Sequence, residues 1–454
     1  MLRFGTDGVR GDADSDLTSP AVRALGRAVA RALGPGRVLI GRDTRRSGAR
    51  IEAALTAGLA DAGVRVAGLG VLPTPAIAFA AARRGLPALV VSASHNPWTD
   101  NGVKVIGPDG RKLPDSAEAA IEEHLAAALA EPIGTDGAPP SGPEPTGAGP
   151  ADADPIAVAE YLAHLATALA GRDLAGLRVV VDCANGAASV VGPAALRAAG
   201  AEVTVMAADP DGTNINAGCG ATHPEALAAR VGEVGADLGL ALDGDADRVI
   251  AVDEHGAIVD GDVIMTALAL DLADRGALAS GTVVVTVMSN LGLRRALADA
   301  GITVVETPVG DRHVVAAMGE VGAGLGGEQS GHIVLPAHAT TGDGTLTGLL
   351  LADLVRRSGR PLSAHAARMP RFPQRLVNVR VGSAGALPTA PRTQAAIAES
   401  AARLGANGRV LVRASGTEPL VRIMVEAPSV GEADAVAARL EAVVRAELGA
   451  ADGP

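Results

Sequence analysis

Three stretches of the chain repeat one pattern, and this repeat constrains the fold more than any other feature. They are residues 37–66, 178–205 and 282–305. Each opens with a β-branched run, passes a polar loop, enters an Ala/Leu-rich stretch of helical character and ends with Ala-Gly before another β-branched run. Continuous Val and Ile runs are typical of strands buried on both faces of a helix-covered sheet. The repeat therefore predicts three related α/β domains in tandem.

The last part of the chain has a different pattern, with strand-like runs around a helical stretch, which predicts a smaller α+β domain. A Pro- and Gly-rich stretch at 131–155 cannot form a regular element and is interpreted as a surface loop. We therefore predict three tandem α/β domains with mixed sheets and a fourth α+β domain, with an active-site cleft at their junction. The predicted boundaries are 1–152, 153–252, 253–366 and 367–454.

Composition narrows the function classes. The formal net charge of −12 and an aromatic content of 1% disfavour binding to nucleic acid, which needs basic and stacking surfaces. The two cysteines, Cys183 and Cys219, suggest no disulfide framework. The first residues do not resemble a signal peptide, and no apolar run reaches the ~20 residues that span a bilayer. We expect a soluble, cytoplasmic protein without a membrane partner.

Nucleophilic side chains follow the apolar run that ends at Val91. Ser94 lies in the segment SASHNP, at the end of a predicted strand, where α/β sheets place their ligands. Ser94 is the candidate nucleophile or phosphoryl carrier, with His95 beside it. Lys104, a few residues later, is a candidate for proton transfer or phosphate contact. The alternative is a Ser/Asn turn that caps the next segment, with a solvated lysine.

Three aspartates at alternate positions, Asp243, Asp245 and Asp247, lie between two apolar runs. In an extended segment alternate side chains project to one side, and clustered carboxylates suit a hard cation such as Mg²⁺. An EF-hand loop would place a glycine where Arg248 stands, so that alternative is rejected. A solvated acidic turn is the remaining alternative.

Two further loops carry polar side chains suited to a sugar phosphate. In GEQSGH, glycines flank Glu328, Ser330 and His332, which can bind hydroxyl groups. In the segment 412–422, arginines, hydroxyls and a tight turn make a phosphate-binding set; its residues are Arg413, Ser415, Gly416, Thr417 and Arg422. Ordinary glycine-rich turns are the alternative for both segments.

The segments SASHNP, DGDADR, GEQSGH and RASGTEP, in this order, resemble the four signature loops of the α-D-phosphohexomutase family. The resemblance implies that Ser94 carries the phosphoryl group as phosphoserine, and that the three aspartates bind Mg²⁺ with a phosphoserine oxygen as a further ligand. It implies that Glu328 and Ser330 hold sugar hydroxyls while the arginine loop holds the non-reacting phosphate. Further cleft residues are implied, with Lys104 and His332 as proton-transfer candidates: Arg10, His95, Lys104, Arg248 and His332.

Within the family, FGTDGVRG, GEQSGH and VGDRHV are most similar to the bacterial isomerases that interconvert glucosamine 6-phosphate and glucosamine 1-phosphate. Such an enzyme works through a bound sugar bisphosphate, needs sugar 1,6-bisphosphate as activator and supplies UDP-N-acetylglucosamine for the cell wall. A homodimer is a possible assembly for such an enzyme.

Three rival functions are compatible with parts of the same sequence. One is an enzyme of the same family for mannose and glucose phosphates, against which Gln329 argues. The second is a phosphatase that uses the same serine and metal. The third is a non-enzymatic sugar-phosphate sensor, which would have no need of Ser94 or of the three aspartates.

Overall fold

The computed structural model describes residues 3–5, 7–34, 36–130, 153–415 and 418–449. Contacts divide the chain into two units, Met1–Met288 with Gly301–Arg368, and Ser289–Ala300 with Met369–Pro454. Most of the predicted loop at 131–155 lies outside the described residues, as do Gly416 and Thr417 of the predicted phosphate loop. The four domain boundaries stay predictions.

The first unit contains three mixed sheets. The first sheet comprises β1 (Phe4–Gly5), β2 (Gly8–Asp12), β3 (Arg37–Arg42), β4 (Arg65–Val71), β5 (Ala88–Val91) and β6 (Asp100–Ile106). The second comprises β7 (Arg178–Asp182), β8 (Glu202–Met206), β9 (Leu238–Leu242), β10 (Val249–Asp253) and β11 (Ile258–Val259). The third comprises β12 (Thr282–Thr286), β13 (Thr303–Thr307), β14 (Leu325–Gly327) and β15 (Ile333–Val334).

Helices connect and cover these strands. In the first unit they are α1 (Ser19–Leu33), α2 (Gly48–Asp61), α3 (Thr74–Arg84), α4 (Asp115–Ala130), α5 (Pro155–Ala168), α6 (Val191–Ala198), α7 (Glu225–Val234), α8 (Gly261–Asp274), α10 (Asp311–Val321), α11 (Gly344–Ser358) and α12 (Leu362–Ala366). The second unit contains α9 (Leu291–Asp299), β16 (Gln374–Arg380), α13 (Pro391–Leu404), β17 (Arg409–Ala414), β18 (Leu420–Glu426) and α14 (Val430–Leu448). None of the described helices combines the length and the apolar character that crossing a bilayer requires.

One strand arrangement recurs in all three sheets of the first unit: β4-β3-β5-β6, β8-β7-β9-β10 and β13-β12-β14-β15. In each, the first three strands are parallel and the fourth is antiparallel. The sequence repeat supplies the first two strands of each arrangement. The prediction of three related α/β domains with mixed sheets is confirmed.

The core of the first sheet is formed by aliphatic side chains, as the low aromatic content requires. Leu25 of α1, Leu55 of α2 and Ile121 of α4 are fully buried in one cluster with Val38 and Ile40 of β3. The β-branched run of β3 thus contributes to a core covered by helices, which is the arrangement expected for an internal parallel strand. The second unit has its own core around the antiparallel sheet β16-β18-β17, which confirms a small α+β domain.

Helices α1 and α2 approach closely because glycines face each other at their crossing. A Cβ atom added to Gly26 would lie 2.6 Å from the carbonyl oxygen of Leu55, and one added to Gly58 would overlap the carbonyl oxygen of Arg23. Backbone atoms cannot rotate away as a flexible side chain can. The two helices must therefore separate if either glycine gains a side chain.

We expect Gly58→Ala to lower the melting temperature, although alanine is the better helix former. Forced separation of packed helices costs about 1–3 kcal/mol, and the backbone overlap places this variant at the upper end of that range. The matched control is Gly232→Ala on α7, where an added Cβ meets no atom within 4 Å. The free energy of unfolding of that variant should increase by up to about 1 kcal/mol, because alanine has a higher helix propensity than glycine. Thermal unfolding of both variants measures the difference, and equal effects would contradict the close-packing account.

Candidate active site

The three chemically distinctive loops of the first unit occupy equivalent positions in the repeated fold. Residues 92–99 join β5 to β6, residues 243–248 join β9 to β10, and residues 328–332 join β14 to β15. Each loop therefore leaves the third parallel strand of its sheet and enters the antiparallel strand. Carboxyl ends of parallel strands are where α/β proteins place ligands.

Ser94 contacts the aspartate loop directly. Its Oγ donates a hydrogen bond of 2.6 Å to Oδ2 of Asp243, and its residue is fully buried. The backbone is in the left-handed region with a φ of 53°, which is uncommon for a residue other than glycine. His95 lies beside it, with Nδ1 at 3.4 Å from the Ser94 Oγ. The hydroxyl is thus aimed at the carboxylates by an unusual turn.

The three predicted metal ligands form one buried cluster. Asp243, Asp245 and Asp247 each offer a carboxylate oxygen, and these oxygens all lie within 4.8 Å of one another. Oδ1 of Asp245 and Oδ1 of Asp247 are buried and accept no hydrogen bond from any described residue. Such acceptors are costly to bury unless a partner binds them. The oxygen-only donor set and these two acceptors without a hydrogen bond fit a hard cation.

Burial and neighbouring charges shift the pKa values of two members of the cluster in opposite directions. Burial and the neighbouring Asp247 and Asp245 raise the pKa of Asp243 to about 8. Burial alone would also raise the pKa of Asp247, but the adjacent Lys104 and His332 hold it well below its ordinary value. The cluster therefore carries repulsion that nearby cations relieve only in part.

Lys104 supplies one of these cations from β6. Its Nζ lies 2.9 Å from Asp245, 3.2 Å from Asp247 and 3.0 Å from Asp7. Burial favours the neutral amine, but these carboxylates raise the pKa of Lys104 well above its ordinary value. The ammonium form is stabilised, and it partly neutralises the aspartate cluster.

Several predicted substrate residues line one cleft of about 380 Å³ in the first unit. Glu328 is held in place by the backbone N–H of Gly310, which donates to Oε1 at 3.0 Å, and it accepts a longer bond of 3.4 Å from the Ser330 hydroxyl. The lining includes three of the five predicted cleft residues, Arg10, Arg248 and His332, but not His95 or Lys104. It also includes Glu328 and two aspartates that the sequence did not single out, Asp7 and Asp311.

The two histidines near the cleft have different environments. His332 is buried, accepts a hydrogen bond of 3.2 Å at Nε2 from the Gly342 backbone, and has Nδ1 at 3.6 Å from Asp247. Burial lowers the pKa of His332, but Asp247 and Asp311 together more than offset this and the net shift is upward. For His95, burial together with Arg248 and Arg10 lowers the pKa to about 4. His332 is thus the histidine with access to both a carboxylate and the cleft.

In the second unit the predicted phosphate loop connects β17 to β18. Arg413 and Arg422 are paired directly across these two antiparallel strands. Like charges opposite each other are unfavourable, and burial together with Arg422 lowers the pKa of Arg413. Arg422 contacts Glu418 at 3.2 Å, but its buried Nε donates to no described residue. An anion placed between the two guanidinium groups would relieve the repulsion, as a phosphate site requires.

Family models match most of the chain. Models of the phosphoglucomutase/phosphomannomutase α/β/α domains I, II and III and of the C-terminal domain match residues 1–131, 159–256, 260–372 and 376–443. The chain belongs to the phosphoglucomutase/phosphomannomutase family.

Relatives within this family match nearly the whole chain. Phosphoglucosamine mutase of Moorella thermoacetica is 52% identical over 448 residues, which cover 97% of this chain and 98% of that protein. Phosphoglucosamine mutase of Frankia alni is 52% identical over 460 residues, which cover 98% of each chain. The predicted family and the predicted enzyme class, an isomerase of the mutase type, are confirmed.

Solved structures of the family share the fold. A phosphoglucomutase/phosphomannomutase family protein from Burkholderia thailandensis matches with a TM-score of 0.78 at 25% identity, and the match covers 97% of each chain. N-acetylglucosamine-phosphate mutase, a member of the α-D-phosphohexomutase superfamily, matches in its substrate complex with a TM-score of 0.66 at 18% identity and covers 98% of this chain and 96% of that one. The predicted fold class is confirmed.

Sequence reasoning missed several residues that contact the predicted site. Thr74 donates a hydrogen bond of 2.6 Å to Asp245, and Lys112 forms ion pairs with both Asp7 and Asp311. Asp7 lies within FGTDGVRG, a segment that resembles the family, and Lys112 lies in a polar segment of ordinary composition. Their local sequence carries no signal of a site, because their partners are far away in the chain.

We expect Mg²⁺ to raise the melting temperature of the protein and Asp245→Asn to reduce this rise. A ligand that binds only the folded state raises the melting temperature according to its affinity, and the substitution removes one anionic ligand. The matched control is Asp209→Asn, an exposed aspartate of the same domain. Melting curves at increasing Mg²⁺ concentration should separate the two variants. An equal metal-induced shift in both would move the cation site elsewhere.

We expect Arg413→Met to change stability and substrate affinity in opposite directions. Removing one of two facing positive charges should stabilise the fold by about 0.2–1 kcal/mol. Loss of a phosphate contact should raise KM about tenfold or more, because charged hydrogen bonds contribute about 1.5–3 kcal/mol each. Arg403→Met, at an exposed position on α13, is the control. Unchanged KM in Arg413→Met would remove the arginine pair from the site.

Proposed function

We propose that the protein is a phosphoglucosamine mutase that interconverts glucosamine 6-phosphate and glucosamine 1-phosphate through a phosphoserine at Ser94. The observation that carries this proposal is the 2.6 Å hydrogen bond from the buried Ser94 hydroxyl to Asp243, within the aspartate cluster. The relatives that are 52% identical over nearly the whole chain, and that are named phosphoglucosamine mutase, support the choice of sugar.

In the proposed reaction phosphoserine 94 donates its phosphoryl group to a free hydroxyl of the bound sugar phosphate. The Oγ–P bond of Ser94 breaks as a new O–P bond to the sugar forms, and the sugar hydroxyl gives up its proton. The resulting sugar bisphosphate turns around in the cleft and returns its other phosphoryl group to Ser94. The second transfer reverses these bond changes, so the enzyme ends the cycle phosphorylated.

The residues near Ser94 fit the charges that move in this reaction. Asp243, Asp245, Asp247 and the Ser94 side chain would hold Mg²⁺, which supplies a positive charge to offset the transferring phosphoryl group. Arg10 and Arg248 line the same cleft and can contact phosphate oxygens. His95 lies next to the Ser94 Oγ and can keep water from it.

Lys104 and His332 are the two proposed proton-transfer groups, and they differ in access. His332 lines the cleft and has a backbone donor on Nε2, which leaves Nδ1 directed at Asp247. Lys104 is enclosed by three carboxylates and is not part of the cleft lining. This difference in access favours His332 for exchange with the sugar hydroxyl and Lys104 for neutralising the carboxylates.

Sugar and phosphate recognition would be divided between two loops. Glu328 and Ser330 would bind sugar hydroxyls from the cleft of the first unit. Arg413, Ser415 and Arg422, together with Gly416 and Thr417, would hold the phosphate that is not reacting. Recognition of the distal phosphate by a set separate from Ser94 is what a substrate that binds in two orientations requires.

The remaining parts of the proposal concern cofactors and context. Sugar 1,6-bisphosphate would serve as activator by phosphorylating Ser94 in enzyme that has lost its phosphoryl group. The product would enter UDP-N-acetylglucosamine and peptidoglycan synthesis, which points to the cytoplasm. A homodimer stays a prediction.

The test compares initial rates on glucosamine 1-phosphate, glucose 1-phosphate and mannose 1-phosphate with trace sugar bisphosphate. We expect the glucosamine substrate to be preferred by at least about tenfold, since a site built to bind a substrate N–H discriminates strongly against analogues without it. Ser94→Ala should lower mutase turnover by at least about a thousandfold, while its melting temperature stays close to that of the protein without the substitution.

Each outcome distinguishes one function from the rest. Preference for mannose or glucose phosphate would indicate the other branch of the family. Steady release of inorganic phosphate without isomerisation would indicate a phosphatase. Binding without turnover, equally strong in Ser94→Ala, would indicate a sensor. Substantial mutase activity in Ser94→Ala would reject the phosphoserine assignment.

A further inference from the structure

We propose that Asn216, acting with Arg45, is a positioning residue that fixes the backbone of the Ser94 turn for phosphoryl transfer. This inference rests on the proposed function, in which Ser94 is the phosphoryl carrier. Neither residue touches the aspartate carboxylates or lines the cleft, so each would act through Ser94 and not on the substrate.

The Ser94 turn needs external support because its backbone is in an unfavourable region. Left-handed backbone at a residue with a side chain is retained only when the surroundings over-determine it. The N–H of Ser94 donates 2.9 Å to the Ser92 hydroxyl, which itself donates 2.7 Å to Asp43. The carbonyl of Ser94 accepts two hydrogen bonds, one each from Arg45 and Asn216. Both backbone polar groups are therefore held, while the hydroxyl faces Asp243.

Arg45 holds the turn from within the same domain. Its guanidinium group is fully buried and donates to the carbonyls of Ser94, Asn96 and Asp100 at 2.9 Å each, as well as to that of Pro97. Its Nε donates 2.9 Å to Asp43, which fixes the plane of the group. A single planar donor thus defines the path of the turn over several residues.

Asn216 holds the same turn from a segment more than a hundred residues away. Its Nδ2 donates 2.9 Å to the carbonyl of Ser94 and 3.0 Å to that of Asn96. The amide orientation follows from these partners, since the reverse orientation would set Oδ1 against two carbonyl oxygens. The residue is itself left-handed, with a φ of 58°, a conformation that asparagine tolerates.

The segment that carries Asn216 is also attached to the aspartate loop. The Asn216 backbone donates 2.9 Å to Ala184, and Ala221, a few residues on, donates 2.8 Å to Leu242 at the start of that loop. A Cβ atom added to Gly244 would lie 2.6 Å from the Ser94 carbonyl oxygen and 2.9 Å from the Asn216 Nδ2. Asn216 therefore ties the carrier turn to the loop that faces it.

Stability alone does not account for Asn216. Arg45 already donates to the two carbonyls that Asn216 bonds, and the buried Oδ1 of Asn216 accepts no hydrogen bond from any described residue. An unsatisfied buried acceptor opposes folding. What the side chain adds is a second restraint on the carrier turn, from the segment attached to the aspartates.

The experiment measures kcat and KM for glucosamine 1-phosphate in Asn216→Gly. Glycine accepts the positive φ without strain and removes the amide donor without adding charge. Misplacing a reacting group by a fraction of an ångström to 1 Å lowers rates up to about a hundredfold. We expect kcat to fall about 10- to 100-fold while KM stays within about twofold, because the sugar and phosphate contacts are untouched.

The matched control is Asn185→Gly, which replaces the same residue type at a φ of 47° in the same domain. The Asn185 side chain contacts the segment that carries Asn216, at Asp209, Asn214 and Cys219, but it does not contact the Ser94 turn. We expect the kcat of Asn185→Gly to stay within about threefold of that of the protein without the substitution. Comparable melting temperatures for the two variants would exclude loss of fold as the cause of a lower kcat. Intact-mass measurement of Ser94 phosphorylation would exclude incomplete phosphorylation of Ser94 as the cause.

The proposal would be overturned if Asn216→Gly kept full kcat, with or without a rise in KM, or if Asn185→Gly lost as much kcat. It would also be overturned if the loss of kcat in Asn216→Gly only matched its fraction of unfolded protein. Asn216→Asp, which keeps size and backbone preference but places an oxygen against the carbonyls, is the second variant and should also lower kcat. Failure of both variants to fold would assign Asn216 to stability and reject positioning. If the protein without any substitution lacks mutase activity, or if Ser94→Ala retains that activity, the proposed function fails. This inference, which rests on the proposed function, then fails with it.

Discussion

Mutual repulsion among three buried carboxylates is the constraint around which the first unit is organised. Charges removed from water need compensation from neighbours, and here the compensation is incomplete. Lys104 bridges two of the aspartates and Asp7, yet Oδ1 of Asp245 and Oδ1 of Asp247 accept no hydrogen bond from any described residue. The carboxylates of this cluster are only partly neutralised by their neighbours, and an oxygen-only donor set of this kind fits a small hard cation.

The repeated fold explains how such different chemical groups come to the same place. Each of the three sheets turns from its third parallel strand into an antiparallel strand, and each of those turns carries one of the loops. The first supplies a hydroxyl, the second carboxylates and the third the side chains that are proposed to bind the sugar. One backbone plan thus presents three sets of chemical groups on short loops, where substitution disturbs the cores least.

Residues whose chemistry is visible in the local sequence could be predicted, and residues defined by distant partners could not. Asp243, Asp245 and Asp247 stand out because alternating carboxylates between apolar runs have few structural uses. Arg45 and Asn216 do not stand out, because an arginine and an asparagine in polar loops are ordinary. Their importance depends on the carbonyl of Ser94, which is 49 and 122 residues away, respectively. The fold class could be predicted from the repeat because periodic apolar runs are a local signal that indicates burial directly. The strand pairing needed the structure, because equal β-branched runs do not specify which neighbour is parallel.

Part of the backbone strain lies where the proposed chemistry occurs, and its presence there fits a division between a rigid carrier and an adaptable ligand. Left-handed residues other than glycine include Ser94, Asn216 and Ala246, all in or against the loops that form the aspartate site. Such conformations oppose folding and persist only under strong restraint. A mutase must present the same hydroxyl to two ends of its substrate, so any freedom in the carrier would be added to the freedom of the turning intermediate. Restraining the serine from both sides confines the motion to the sugar, and recognition of that sugar can then rely on carboxylate, hydroxyl and guanidinium groups that bind either orientation.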